Sequence, residues 1–387
     1  MKKLINKQKK TNKSNPFKLF LLTSLASASI LFSFPYETKP SEIGHKPLKG
    51  ICYSPFRDGQ QPGGETPSEE EVRKDLDIVK SMSPKIRTYG TEDILFRIPE
   101  FCKDIEIDCY PGAWIDNAST DDEQISNLIT IANKGYRTTK GLVVGNEFLY
   151  RNPDSKQKLI DYINQVKSST TNLVTTAEQW HIWRDNPDLS DHVDFLTIHI
   201  HPYWENQNIN DSKEFILEKY NLIKNNYSSG KKVVVGETGW PTEGETRGEA
   251  VPSEKNQENF LKDFKELSNQ EDIDYFLFET FDENWKKLFT GLEVEAHWGI
   301  FYKDRTIKKG LQEIIKENTK ITSFNEDGLN VTTYENNSYY LDDCTNLTNS
   351  SWQERLGFQG ETNKNLTKII LENTDENQKF YRIRMEF

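Results

Sequence analysis

The sequence has little with which to bind nucleic acid, hold a redox cofactor or wrap a metal. Six His and four Cys are spread over 387 residues, and no Cys–His cluster has the spacing of a metal site. Only His199 and His201 stand close together. Such a pair on a strand can supply two ligands, but no third is in view, so no metal and no cofactor are expected. No Gly-X-Gly-X-X-Gly turn follows the first strand-like run, which argues against the phosphate-binding turn of an open doubly wound sheet. The net charge is −12, and no basic patch is interleaved with aromatics. Phosphates would be repelled, and a neutral ligand suits such a body better.

Long apolar runs are also scarce. The one that matters, Phe17–Phe34, follows seven Lys and no acid in residues 1–18. That pattern predicts an exported chain, with residues 1–34 a signal peptide or an N-terminal membrane anchor. Ala26-Ser27-Ala28 resembles a cleavage site, yet the apolar run continues past it. Export permits disulfides. Among Cys52, Cys102, Cys109 and Cys344, Cys102 and Cys109 are near enough in sequence to pair, although spacing alone does not establish it.

Residues 35–48 are rich in Pro and charge and read as a linker. Beyond them, eight short β-rich runs alternate with amphipathic stretches: Gly50–Ser54, Lys85–Tyr89, Ile105–Tyr110, Gly141–Gly145, Asn172–Thr176, Asp194–His199, Lys231–Gly236 and Tyr275–Phe278. The expected helices include Glu69–Met82, Asp121–Lys134, Lys156–Ser169, Lys213–Tyr227, Glu254–Leu267 and a last one at Thr306–Glu317. Glu178–Asn186 reads only weakly as a helix. Eight such repeats predict an α/β fold of the closed (β/α)8 TIM-barrel type over residues 49–318. Composition shifts near residue 319. Short runs such as Ile321–Phe324, Ser338–Leu341, Lys368–Leu371 and Phe380–Arg384 predict a small β-sandwich-like accessory domain over 319–387. Its Tyr334, Tyr339, Tyr340 and Trp352 make it a candidate binding module.

Cutting a glycosidic bond takes two carboxyl groups, one to protonate the leaving oxygen and one to attack or to activate water. In a barrel both must stand at C-terminal strand ends. Glu147 closes the fourth strand in GLVVGNE, and Glu237 closes the seventh in VVVGETGWP. Each follows buried β-branched residues and a Gly. A charge there is costly unless it faces a functional cleft. Strands four and seven lie on opposite sides of a closed ring, so the two side chains can flank one bond.

These residues resemble glycoside hydrolase family 17, the β-1,3-glucanases and related transglycosylases. The resemblance covers about residues 49–310 and rests on VGNE (144–147), TTAEQW (175–180), HPYW (201–204), VGETGWPT (235–242), FETFDENWK (278–286) and HWGIFYKD (297–304). The opening GICYSPFRDGQQPG (50–63) looks closer to bacterial members. The resemblance implies double displacement with retention, with Glu147 as acid/base and Glu237 as nucleophile, their carboxyls ~5–5.5 Å apart. It further implies that Asn146 contacts a sugar 2-hydroxyl and that Glu283 and Lys286 match a conserved Glu and Lys of the family. Tyr203, just past strand six, is expected either to hold Glu237 or to wall the pocket. Arg87, on strand two, is placed to support a carboxylate.

Further sugar-binding candidates lie at or after strand ends: Tyr53, Arg57, Asp58, Trp114, Trp180, His201, Trp204, Trp240, Phe281 and Trp285. About half of the aromatics are expected to touch sugar, since a ring packed under a loop is the commoner fate. Gln60 joins Arg57 and Asp58 in the first loop. The expected ligand is a β-glucan, and the expected activity is retaining hydrolysis. Transglycosylation by the same residues is the alternative, and a non-catalytic carbohydrate-binding barrel is a third reading.

Overall fold

In the computed structural model of the protein the described residues are 48–312, together with the short strands Phe32–Ser33, Ile321–Asn325, Gly328–Val331, Ser338–Cys344, Gln353–Gln359, Thr367–Ile369 and Phe380–Glu386. The chain divides into two units, residues 46–318 and residues 1–45 with 319–387.

The first unit is a ring of parallel strands: β1 (Ile51–Cys52), β2 (Lys85–Arg87), β3 (Asp108–Tyr110, continuing as Gly112–Ala113), β4 (Gly141–Asn146), β5 (Leu173–Gln179), β6 (Leu196–His199), β7 (Val233–Thr238) and β8 (Asp274–Leu277). Neighbours in sequence pair in parallel, and β8 returns to β1 through Leu277 opposite Ile51. Closure falls on β3. Its first half pairs with β2 and its second half with β4, the break coming at Pro111. Proline has no N–H to give, but its carbonyl accepts from Val143 N at 3.0 Å. The result is the expected (β/α)8 barrel.

The outer helices form where the sequence spacing places them. In α1 (Glu69–Met82), Val72, Leu76 and Val79 are buried, the i, i+4, i+7 stripe of an amphipathic helix. Ser68 and Glu71 make a reciprocal capping box at its start. The ring strands are buried on both faces, β4 and β7 throughout, which explains their run of Val and Leu.

Two expected elements differ. The strand placed at Ile105 starts at Asp108, because α2 (Ile98–Ile105) ends with Glu106 in the left-handed region, donating back to Cys102 and Lys103. The helix expected at Thr306–Glu317 does not begin at Thr306. Ile307 bridges to Phe301, Asp304 Oδ1 accepts from Thr306 N at 2.9 Å, and Gly310 has φ +91°. Residues 313–317 lie outside the described residues.

In the second unit, an antiparallel sheet runs in the order Phe32–Ser33, Phe380–Glu386, Ser338–Cys344, Gln353–Gln359, and a three-stranded sheet in the order Ile321–Asn325, Gly328–Val331, Thr367–Ile369. Gly328–Val331 and Gln353–Gln359 were not among the expected strands. Tyr334 and Trp352 lie outside the described residues, as does the apolar stretch up to Leu31. Among the described residues no helix is long and apolar enough to cross a membrane.

Candidate active site

Two glycines set the geometry at the C-terminal mouth of the ring. Gly145 has φ +79°, a conformation that suits a residue without Cβ. It turns β4 so that Asn146 and Glu147 face the centre, next to a register shift between β4 and β5. Gly236 precedes Glu237 on β7. A Cβ there would stand 2.3 Å from Thr197 Cγ2 and 3.2 Å from Arg87 Nη1, so glycine makes room for the arginine.

Arg87, on β2 and 1 % exposed, ties the centre together. Its Nη1 donates to Glu237 Oε1 at 3.2 Å, to Gly236 O at 3.0 Å and to His199 Nε2 at 2.9 Å. Its Nη2 donates to Asn146 Oδ1. On β6, His199 reaches Glu147 Oε1 through Nδ1 at 2.8 Å, and His201 Nε2 reaches Glu237 Oε2 at 3.3 Å. A guanidinium only donates, so when the His199 ring is neutral Nε2 accepts and the proton sits on Nδ1, facing Glu147.

One oxygen of Glu147 lies within 4.8 Å of one of Glu237, with a His199 nitrogen inside the same radius. Two carboxylates and an imidazole also make a donor set for a cation. Here, however, the fixed positive charge of Arg87 stands among them, and both ring nitrogens of His199 are engaged. Burial pushes the Glu237 carboxyl up, but His199, His201 and Arg87 more than offset this and hold it well below the usual carboxylate range. Glu237 is thus a buried, ionised, firmly held carboxylate. Glu147 is more open, with its side chain 21 % exposed.

A second charged cluster follows β8. Lys286 donates to Glu279 Oε2 and lies 2.9 Å from Glu283 Oε2, and Ser54 Oγ donates to Glu283 Oε1 at 2.6 Å. Both glutamates are 1 % exposed. Burial pushes the Glu279 carboxyl up, the neighbouring Glu283 carboxyl adds to the push, and the shared Lys286 ammonium opposes it. Deeper still, Lys308 Nζ donates to Asp282 Oδ1 and Thr242 Oγ1, both at 2.8 Å.

The structure redistributes the other candidates. Tyr53, Trp240 and Phe281, expected in the cleft, are in the core at 0 %, 1 % and 1 % exposure. The Tyr53 hydroxyl donates to Asp75 Oδ2 at 3.3 Å and the Trp240 indole to Val251 O at 3.0 Å, while Phe281 packs edge-on against Tyr53. Arg57, expected to bind hydroxyls, is spent on Asp75 Oδ1 at 2.8 Å and Pro55 O at 3.0 Å. Asp58 is exposed but paired with Lys303 Nζ at 2.6 Å and with Asn284. Tyr203 does not hold Glu237. It is buried, and its hydroxyl donates to the Glu245 carbonyl; His201 and Arg87 take the role instead. Trp114, Trp180, Trp204 and Trp285 remain partly exposed at the mouth. Cys52, Cys102 and Cys109 are free thiols, so the conceivable Cys102–Cys109 bond is not formed.

Reading the sequence paired His199 with His201 but missed its link between the two glutamates. It also passed over Glu178 and Glu279. A signal existed for His199: residues i and i+2 of an extended chain share a face, and His199, the last residue of β6, and His201 just past it both point to Glu237.

The BtgE/BtgC glycoside hydrolase domain matches residues 50–299. The chain belongs to that family. Its barrel is glycoside hydrolase family 17-like. The glucan endo-1,3-beta-glucosidase btgC of Emericella nidulans is 26% identical over 302 residues, 69% of this chain and 46% of that one; the chain spans about half the length of that curated relative. The glucan 1,3-beta-glucosidase of Schizosaccharomyces pombe is 29% identical over 62% of this chain and 80% of its own. Among solved structures, the family 17 β-1,3-glucanosyltransferase of Rhizomucor miehei superposes with a TM-score of 0.62 at 29% identity, covering 69% of this chain and 97% of that one. These relatives are fungal and give no support to the bacterial-type likeness of the opening loop.

Proposed function

We propose that the barrel is a retaining glycoside hydrolase acting on β-1,3-linked glucan, with Glu147 as acid/base and Glu237 as nucleophile. The observation that carries this is that one carboxyl oxygen of Glu147 lies within 4.8 Å of one of Glu237. Such spacing suits direct attack and leaves too little room for the water that an inverting pair, roughly 6.5–9.5 Å apart, would hold. Glu237 attacks C1 while Glu147 gives its proton to the departing glycosidic oxygen. The glycosyl–Glu237 ester then breaks as Glu147 takes the proton of the incoming hydroxyl, which attacks C1 and frees the carboxylate. Arg87 and His201 keep Glu237 aimed and charged. Asn146, locked by Arg87, is placed to meet the 2-hydroxyl. Trp114, Trp180, Trp204 and Trp285 are the rings open to stack on sugar, with Glu283 and Lys286 shaping the wall between β8 and the first loop.

The incoming hydroxyl decides between hydrolysis and transfer. Likeness to a glucanosyltransferase over nearly all of its length favours transfer as the second reading. A complex of an active-site mutant of the Rhizomucor miehei enzyme with laminaritriose points to the same ligand class. Export belongs to the proposal too, on the Lys-rich, apolar N-terminus.

The test is a time course with linear β-1,3-gluco-oligosaccharides, with products resolved by length, for the protein and its Glu147→Gln and Glu237→Gln forms. Shorter products alone, lost in both variants, mark a hydrolase. Products longer than the substrate, also lost in both, mark a transferase. Intact substrate with the unaltered protein refutes the assignment.

A further inference from the structure

Glu147 occupies the N-cap position of the short helix α3, Phe148–Arg151. An N-cap side chain ordinarily accepts from the second and third amides of its helix. Glu147 does not: its backbone is left-handed (φ 50°, ψ 35°), and its carboxyl is turned to His199. The amides it leaves open, those of Leu149 and Tyr150, would otherwise lack a partner at a largely buried turn, which is costly.

Those two amides are taken from the neighbouring strand. Glu178 on β5, 0 % exposed, accepts from Leu149 N through Oε1 at 2.8 Å and faces Tyr150 N through Oε2 at 3.4 Å. The residue before it accepts the acid's own amide, Glu147 N to Ala177 O at 2.7 Å. Consecutive residues of β5 thus grip three of the four amides from 147 to 150. A serine or asparagine that capped the helix from position 147 would need extended backbone there, and its side chain would be spent on the amides rather than released to the cleft.

We propose that Glu178 is a positioning residue for Glu147, a cap supplied from the adjacent strand that frees the 147 side chain for proton transfer and fixes the turn on which it stands. The proposal rests on Glu147 being the acid/base. Glu178 bonds the amides of Leu149 and Tyr150 rather than the Glu147 carboxyl, so its effect is expected on the steps that need the proton.

The experiment uses the full chain and two substrates: laminari-oligosaccharides, whose leaving group needs protonation, and a 2,4-dinitrophenyl β-laminarioside, whose leaving group departs without it. Glu178→Ala is expected to lower kcat/KM on the first by about 10–100-fold, part of the ~10²–10⁴ that acid catalysis supplies, and to leave the second within about twofold. Glu178→Gln retains an acceptor for Leu149 N and should fall between Ala and the unaltered protein; it also serves where the Ala variant does not fold. Equal losses on both substrates, or no loss on either, overturn the proposal. Glu147→Gln run alongside separates the two levels of argument. If it spares the oligosaccharide reaction, the acid/base assignment is wrong and the positioning role goes with it; if it abolishes that reaction while Glu178→Ala does not impair it, only the positioning role is wrong.

Discussion

Glu178 also gives the molecule a pH signature. Burial first, and then the charge of Glu147, push its carboxyl up to about 8 against the opposing amide bonds. Between the ordinary carboxylate range and that value the folded chain holds a proton that the unfolded chain has lost. Stability therefore falls as pH rises through this window. Glu178→Gln removes the titration, so its Tm should drop less than that of the unaltered protein between about pH 5 and about pH 9. Identical slopes would mean that Glu178 is ionised throughout. Glu237 behaves oppositely. Held well below the usual range, it stays charged as pH falls, so Arg87→Lys should shift the acid limb of kcat/KM upward and cost about tenfold or more in rate by loosening the fork that holds it. The two glutamates proposed to do the chemistry were legible in the sequence because each closes a buried run at a strand end. Glu178 and His199 were not, since their meaning lies in partners on other strands, far away along the chain.

Strands and helices were the more readable scale. The periodicity of Glu69–Met82 and Lys156–Ser169 located both helices to the residue. All eight ring strands were found, though the fifth and seventh run on past their expected ends at Thr176 and Gly236. Errors came where local pattern and tertiary demand part. IEIDCY alternates like a strand, yet its first two residues close a helix. The segment from Thr306 is polar and helix-like, yet it is drawn back to the barrel by Lys308, whose ammonium is buried against Asp282. Burial lowers that lysine and Asp282 opposes the shift. Lys308→Met would strand the Asp282 charge inside and should destabilise the barrel by about 3–5 kcal/mol, read as a lower urea midpoint at unchanged m. A change below about 1 kcal/mol would place the pair among those worth little net.

Across the whole chain, the division at residues 318–319 predicts thermal behaviour. A sugar that binds only the barrel stabilises only the barrel. At about 100 times its Kd, a laminari-oligosaccharide added to Glu147→Gln should contribute about 2.7 kcal/mol to the barrel transition in calorimetry. The transition belonging to residues 319–387 should not move. If both move together, the two units unfold as one, or the second unit binds the oligosaccharide as well. On the proposed reading the acidic surface gives no charge to steer a neutral polysaccharide, so recognition would fall to hydroxyl contacts and partly exposed aromatic rings. That part of the site was least legible in the sequence. Trp240 and Trp285 look alike as letters, and only packing decides that one is core and the other rim.

The left-handed backbone at Glu147 carries an evolutionary consequence. Glycine occupies that conformation freely, whereas an L-residue pays roughly 1–2 kcal/mol for it. Selection for stability alone would replace the glutamate with glycine, and the fold would gain by losing the carboxyl that the proposed mechanism uses as its proton donor. A lineage released from catalysis has a downhill mutational path at this position. A glutamate there is what continued use of the reaction maintains.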